Sequence, residues 1–314
     1  MREGYTMTTE QYLKNLQTPD HPVDVVLDTD ACAEIDDQFA ISYLLRSNDR
    51  LRVKGFCAAP YQGADPTGTA MLKSYAEIKK ILTLASRTDL LDRVYHGSDR
   101  YLPDEKTPVQ SDAAAFLAEL AGHYTAEEPL YVVGIGAAPN IASALLLNPE
   151  MKEKTVVIWL GGNAHHYSHT AEYNMMQDVA AARIIFGCGV PFVQLPCRGV
   201  VDSFSTSRYE LEHWLKGKNP LCDYLVENTI QTAERYAAGK PWTRVIWDVT
   251  TIGWLLNDGQ RFMTDELRPA PVPTYDHHYG FDGNRHLMKY VTAINRDALF
   301  QDLFSKLVKE NEHL

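Results

Sequence analysis

The sequence predicts an α/β protein: a doubly wound, mainly parallel sheet with helices on both faces. Three observations carry this expectation. From Val23 onward, short β-rich apolar runs alternate with longer segments of helical period. Strand, helix, strand repeated in this way implies right-handed crossovers and parallel strands. The runs Val23–Leu27 and Thr155–Leu160 are nearly all apolar rather than alternating, which suits strands covered by helices on both faces. The chain of 314 residues, 45% hydrophobic and 23% charged, is long enough for one large domain and is neither disordered nor collagen-like in composition.

In chain order, residues 1–20 are polar with weak helical period and read as an N-terminal leader, leaving residues 21–314 as a single domain. Strand Val23–Asp28 leads to helix Asp36–Ser47, strand Leu51–Ala59 to helix Thr67–Ala85, and strand Leu130–Val133 to helix Pro139–Leu147. Strand Thr155–Leu160 precedes helix Asp178–Gly187, and strand Phe192–Leu195 precedes helical segments from Arg208 to Ala238. The Pro-rich stretch from Arg268 to Thr274 reads as a late loop or edge strand. No fixed-period repeat, low-complexity tract or Gly/Ser linker marks an internal boundary.

Thirty basic residues against forty-one acidic ones give a formal charge of −11, which argues against binding to nucleic acid. Five scattered cysteines without a C-x-x-C pair read as reduced thiols of a cytoplasmic protein. Neither a membrane-spanning run nor a signal-like start is found.

In open α/β sheets, ligands bind beyond the carboxyl ends of the strands. Here the first strand ends Leu27-Asp28-Thr29-Asp30, and after Glu34 the next helix opens with Asp36-Asp37. Carboxylates crowded beside buried sequence repel one another unless protons or a cation neutralise them, and a hard divalent ion, Ca2+ or less fittingly Mg2+, takes such oxygen ligands. Two other readings exist. Asp36 and Asp37 could simply cap a helix, and Asp-Thr-Asp resembles the first motif of haloacid-dehalogenase-type phosphatases, which would make Asp28 the nucleophile. An EF-hand is excluded, because Ala33 and Phe39 stand where that loop needs Gly and Glu.

The string from Val25 to Ala40 resembles the D-x-D-P-G-x-D-D signature of the inosine-uridine-preferring nucleoside hydrolases, with two extra residues between the acidic pairs. Further pieces occur in the family's order: Val133 to Leu145 resembles G-P-L-T-N-L-A-x-A-L, Trp159-Leu-Gly-Gly-Asn163 the M-G-G segment, and Glu172-Tyr-Asn174 with Asp178 the E-F-N…D-P-E-A-A segment. Trp247-Asp248 resembles the late H-D pair.

This resemblance implies calcium held by Asp30, Asp37, Asp248 and the main-chain carbonyl of Pro139. Asp36 would bind a ribose hydroxyl, with Glu172, Asn174 and Asn163 on the opposite wall and Trp247 beside the substrate. Asp30 would be the general base for water attack on the N-glycosidic bond of a nucleoside or related glycoside. The resemblance also implies a dimer or tetramer. Two departures bear on substrate choice. Trp247 stands where purine-type members have the His that protonates the leaving base, and Cys57-Ala-Ala-Pro60 replaces a G-N pair. Among the loop histidines 165, 166, 169, 277 and 278, His166 and His278 are the candidates for the leaving-group side. A calcium-stabilised sugar-binding protein without turnover is the reading from a different functional class.

Overall fold

A computed structural model describes residues 7–309. Its centre is an eight-stranded sheet. The strands in chain order are β1 (Val23–Thr29), β2 (Leu51–Ala58), β3 (Val94–Tyr95), β4 (Leu130–Gly134), β5 (Thr155–Leu160) and β6 (Phe192–Leu195), then the small pair β7 (Ser205–Ser207) and β8 (Thr243–Val245), and finally β9 (Met263–Pro269), β10 (Val272–Pro273), β11 (Tyr279–Gly280) and β12 (Leu287–Ile294). Sheet order is β3-β2-β1-β4-β5-β6-β12-β9, with every pairing parallel except β12 against β9. The expected doubly wound, mainly parallel sheet is therefore present.

The helices are α1 (Thr9–Asn15), α2 (Asp37–Leu45), α3 (Thr67–Leu84), α4 (Asp112–Leu120), α5 (Pro139–Leu147), α6 (Met151–Lys154), α7 (Tyr173–Gln177), α8 (Val179–Gly187), α9 (Arg208–Trp214), α10 (Pro220–Ala237), α11 (Val249–Leu255) and α12 (Arg296–Leu307). Successive side chains of a strand point to opposite faces, and β1 divides its residues accordingly. Val25 and Leu27 enter a core with Phe39 of α2, Ile78 of α3, Leu225 of α10, Ile252 of α11 and Leu303 of α12. Val26 enters a second core with Leu117 of α4, Ile141 of α5 and Ile185 of α8. Fully apolar strands follow from this two-sided cover.

Asp24 and Lys54 pair at the amino end of the sheet, away from these cores. The hairpin-like pair β9 and β12 extends the sheet beyond β6, and the Pro-rich stretch supplies the end of β9 and the short strand β10. Within the expected leader, α1 lies against the start of β12: Tyr12 Oη donates to the Leu287 carbonyl at 2.7 Å, and Leu16 is wholly buried. Among the described residues, no helix is long and apolar enough to cross a membrane.

The strand order fixes where a ligand can sit. From β1 the chain steps outward to β2 and β3, then returns to β4 on the other side of β1. The connections after β1 and β4 consequently diverge and leave a crevice beyond their carboxyl ends.

Candidate active site

β1 delivers Asp28, Thr29 and Asp30 to this crevice edge. Thr29 Oγ1 donates to Asp37 Oδ1 at 2.5 Å, tying the strand end to the first residue of α2. Asp36 occupies the cap position of α2 but makes no side-chain capping bond, so capping does not account for it. Its Oδ2 instead accepts from the Asp248 backbone N–H at 3.3 Å, across 212 positions of sequence. Asp248 likewise opens α11 without capping it.

One carboxylate oxygen from each of Asp36, Asp37 and Asp248 lies within 4.8 Å of the others, and all three residues are buried. Asp30 is 3% exposed, and its Oδ2 has no hydrogen-bond partner. Gly136, just past β4, makes room for it, since a Cβ there would stand 2.7 Å from Asp30 Oδ1.

Burial pushes the Asp30, Asp36 and Asp248 carboxyls well above the usual range, and their mutual repulsion adds to it. Asp37 is pushed up to about 6 by burial, partly offset by the Thr29 hydroxyl. The charges acting on this group are chiefly one another and Glu34, whose own ion pair is with Arg244. Buried carboxylates without a cationic partner are costly. An all-oxygen donor set with an unpartnered oxygen at Asp30 fits a hard divalent cation.

Asp28 is different. It is 0% exposed, its Oδ1 accepts from Asn140 Nδ2 at 2.8 Å, and burial pushes its pKa up to about 7. It does not line the crevice, so the phosphatase reading lacks an accessible nucleophile.

The crevice has a volume of about 340 Å³. The same crevice is lined by Glu172 and Asn174 at the start of α7. Glu172 Oε1 accepts from Asn174 N at 2.9 Å, and Oε2 accepts from Gly162 N at 2.8 Å and Met175 N at 3.1 Å. Asn174 Nδ2 donates to the Ile135 carbonyl at 3.1 Å and the Leu160 carbonyl at 3.0 Å, which anchors it to the ends of β4 and β5. With both amide protons used, its carbonyl oxygen is the group left for a ligand. Tyr173 and Trp247 supply aromatic walls.

Seven of the eleven candidate residues thus line one cavity: Asp30, Asp36, Asp37, Glu172, Asn174, Trp247 and Asp248. Four do not. Pro139 begins α5, and Ile135 is the residue of that turn that reaches the crevice. Asn163 is fully buried and donates to the His169 carbonyl at 3.1 Å. His166 is exposed, with its ring tilted on Tyr167, and His278 is exposed beside Asp276. Tyr173, Cys197 and Arg198, which the sequence did not single out as site residues, also line the cavity, as does Glu34 of the acidic cluster. Cys197 and Arg198 closely follow β6, so the strand-end rule that singled out Asp30 would also have found them.

Fold and site together define a doubly wound α/β protein with a carboxylate-lined crevice at its topological switch point. The family model described as inosine-uridine preferring nucleoside hydrolase matches residues 25–301, and the chain belongs to that family.

A pyrimidine-specific ribonucleoside hydrolase, RihA of Escherichia coli O1:K1 / APEC, is 26% identical over 208 residues. That match takes in 59% of this chain and 66% of the relative, just under two thirds of its length. Among solved structures, a plant nucleoside hydrolase, PpNRh1, superposes with a TM-score of 0.74 at 19% identity, covering 91% of this chain and 99% of the other. A purine-preferring ribonucleoside hydrolase from Gardnerella vaginalis gives 0.72 at 16% identity, over 91% and 98%. At these identities the superpositions establish the shared fold.

Proposed function

We propose that the protein is a calcium-dependent hydrolase of the N-glycosidic bond of ribonucleosides or related N-ribosides, releasing free base and ribose. The observation that carries this reading is the convergence of Asp30, Asp36 and Asp37 with the distant Asp248, in one cavity with Glu172 and Asn174. Family membership and the activities named for the relatives support it.

Asp30, Asp37 and Asp248 would hold the ion. The main-chain carbonyl of Pro139, at the start of α5, is the expected fourth ligand. Bound calcium supplies positive charge that orients a vicinal diol and makes a nearby water more acidic. Asp36 accepts from a ribose hydroxyl, and the Asn174 carbonyl oxygen receives a second hydroxyl from the opposite wall. Asp30 accepts the proton of the attacking water. As the C1′–N bond breaks, positive charge grows on the sugar, and the surrounding carboxylates stabilise it electrostatically.

The test is ribose release from a panel of nucleosides, with calcium and with chelator, for the parent protein and Asp30→Asn. General-base loss lowers kcat by roughly 100-fold or more, while ribose binding to the calcium-loaded variant persists. Binding without turnover in the parent protein, and no rate difference in the variant, would instead identify a sugar-binding protein.

A further inference from the structure

Beside the crevice lies a second cavity of about 250 Å³. Ala33 and Glu34 line both, so this stretch of backbone divides them, and it belongs to the segment that is two residues longer than the family signature. Part of the second cavity's lining is one face of α10, where Asn228, Thr232 and Arg235 are spaced i, i+4 and i+7. Gln38 of α2 and Glu77 of α3 supply another part.

Gln38 is only 3% exposed. Its Nε2 donates to the Ala31 carbonyl at 2.8 Å and to Glu77 Oε1 at 3.4 Å, which fixes the amide's orientation and leaves its Oε1 without a partner. A buried acceptor in that state calls for a donor. Glu77 Oε1 also accepts from Tyr224 Oη. Lys80 Nζ stands 3.8 Å from Glu77 Oε2, beyond hydrogen-bond range and on a half-exposed side chain, so that oxygen can still take a donor. Glu34 is spent on Arg244 at 2.8 Å. Among the described residues, the side chains of Asn228, Thr232 and Arg235 have no hydrogen-bond or ion-pair partner. The lining therefore offers acceptors at Gln38 and Glu77, and uncommitted donors, one of them a cation, along α10.

We propose that this cavity binds a small zwitterionic amino acid and that its occupant modulates the crevice. The ammonium group donates to Gln38 Oε1 and Glu77 Oε2, while the carboxylate accepts from Arg235, Thr232 and Asn228. Charge-assisted bonds of both kinds are the strong ones, and a ligand with one charge of each sign uses both sets. The link to the crevice runs through Gln38, because the amide that the ammonium engages also holds the carbonyl of Ala31, the residue after Asp30. The binding stands without the hydrolase reading, and the modulation rests on it.

Ligand-observed NMR titrations of the full chain use the common α-amino acids and the ω-amino acids up to 5-aminopentanoate, with propionate and propylamine as one-ended controls. At least one zwitterion should bind roughly tenfold or more tightly than either control, the scale of one charge-assisted hydrogen bond. Arg235→Gln and Glu77→Gln should each weaken it by roughly that factor, and saturating ribose should leave it bound. In the nucleoside assay the same amino acid should change kcat/KM of the parent protein by roughly fivefold or more, the low end of allosteric coupling, and leave that of Arg235→Gln unchanged.

Zwitterions binding no better than the one-ended controls, displacement by ribose, or undiminished binding to Arg235→Gln overturns the site. Binding without any change in turnover overturns the modulation. A protein inert toward every nucleoside would overturn the hydrolase reading, and the modulation with it, while the titrations still decide the site.

Discussion

The missing side chain at Gly136 sets how closely Asp30 can lie against the end of β4. Adding a methyl group there would force the Asp30 carboxylate to move, because the Cβ would stand 2.7 Å from its Oδ1. Misplacement of a catalytic group by about 1 Å can cost on the order of 100-fold in rate. Gly136→Ala is therefore expected to lower kcat by roughly that factor while leaving the urea midpoint of the calcium-loaded protein within experimental scatter. A fall in the midpoint with unchanged kcat would show that the turn yields instead of the carboxylate. At this scale the sequence was informative about acids and poor about histidines. Asp30, Asp36 and Asp37 were readable because repulsion among neighbouring acids needs an explanation, whereas Asp248, far along the chain, was reached only through the family resemblance. His166 and His278 were attractive only for their chemistry, and their loops carry both rings to solvent.

Asn140 shows how one helix supports the site from below. From the first turn of α5, its Oδ1 accepts from Ser98 N at 2.7 Å, while its Nδ2 donates to Asp28 at 2.8 Å and to the Ala58 carbonyl at 3.2 Å. It thereby joins β1, β2 and the segment after β3. Asn140→Ala leaves Asp28 and the Ser98 amide without these partners, and unsatisfied buried groups cost about 1–3 kcal/mol each. Equilibrium urea unfolding should show a loss of about 3 kcal/mol or more. At the far edge, Lys289 Nζ of β12 lies 3.0 Å from Asp265 Oδ1 of β9, with side-chain exposures of only 7% and 8%. Lys289→Met should destabilise by about 3–5 kcal/mol, and joining it to Asp265→Leu should recover only part of that loss, because Trp254 Nε1, which donates to Asp265 at 3.0 Å, is then left without its partner.

This edge was also the least readable part of the fold. β5, β6 and α5 run over the residues expected for them because their apolar runs are uninterrupted. β9 is largely exposed and β12 carries Lys289 and Thr292, so neither shows the pattern of a buried parallel strand.

For the molecule as a whole, the buried acids link stability to pH and, on the proposed function, to calcium. Burial pushes the Asp37 carboxyl up to about 6 and that of Asp28 up to about 7 in the folded protein, from an ordinary value near 3.8. Between those limits the folded state binds more protons than the unfolded one, so stability without metal must fall as pH rises from about 4 to above 7. A bound cation replaces the protons at the ligating carboxylates. The increase in Tm on adding calcium should therefore be larger at pH 8 than at pH 5, as differential scanning fluorimetry with calcium and with chelator would reveal. A calcium effect that shrinks with rising pH would contradict ion binding at these carboxylates.

The hydrogen bond between Asp36 and the Asp248 amide, spanning 212 positions, also bears on biosynthesis. A nascent chain emerging from the ribosome displays its first aspartates long before the helix that completes their cage exists. Until α11 has been translated and docked, those acids must remain hydrated or protonated, so on the proposed function ion capture would belong to the closing stage of maturation, and a fragment ending before Asp248 should acquire neither the ion nor activity.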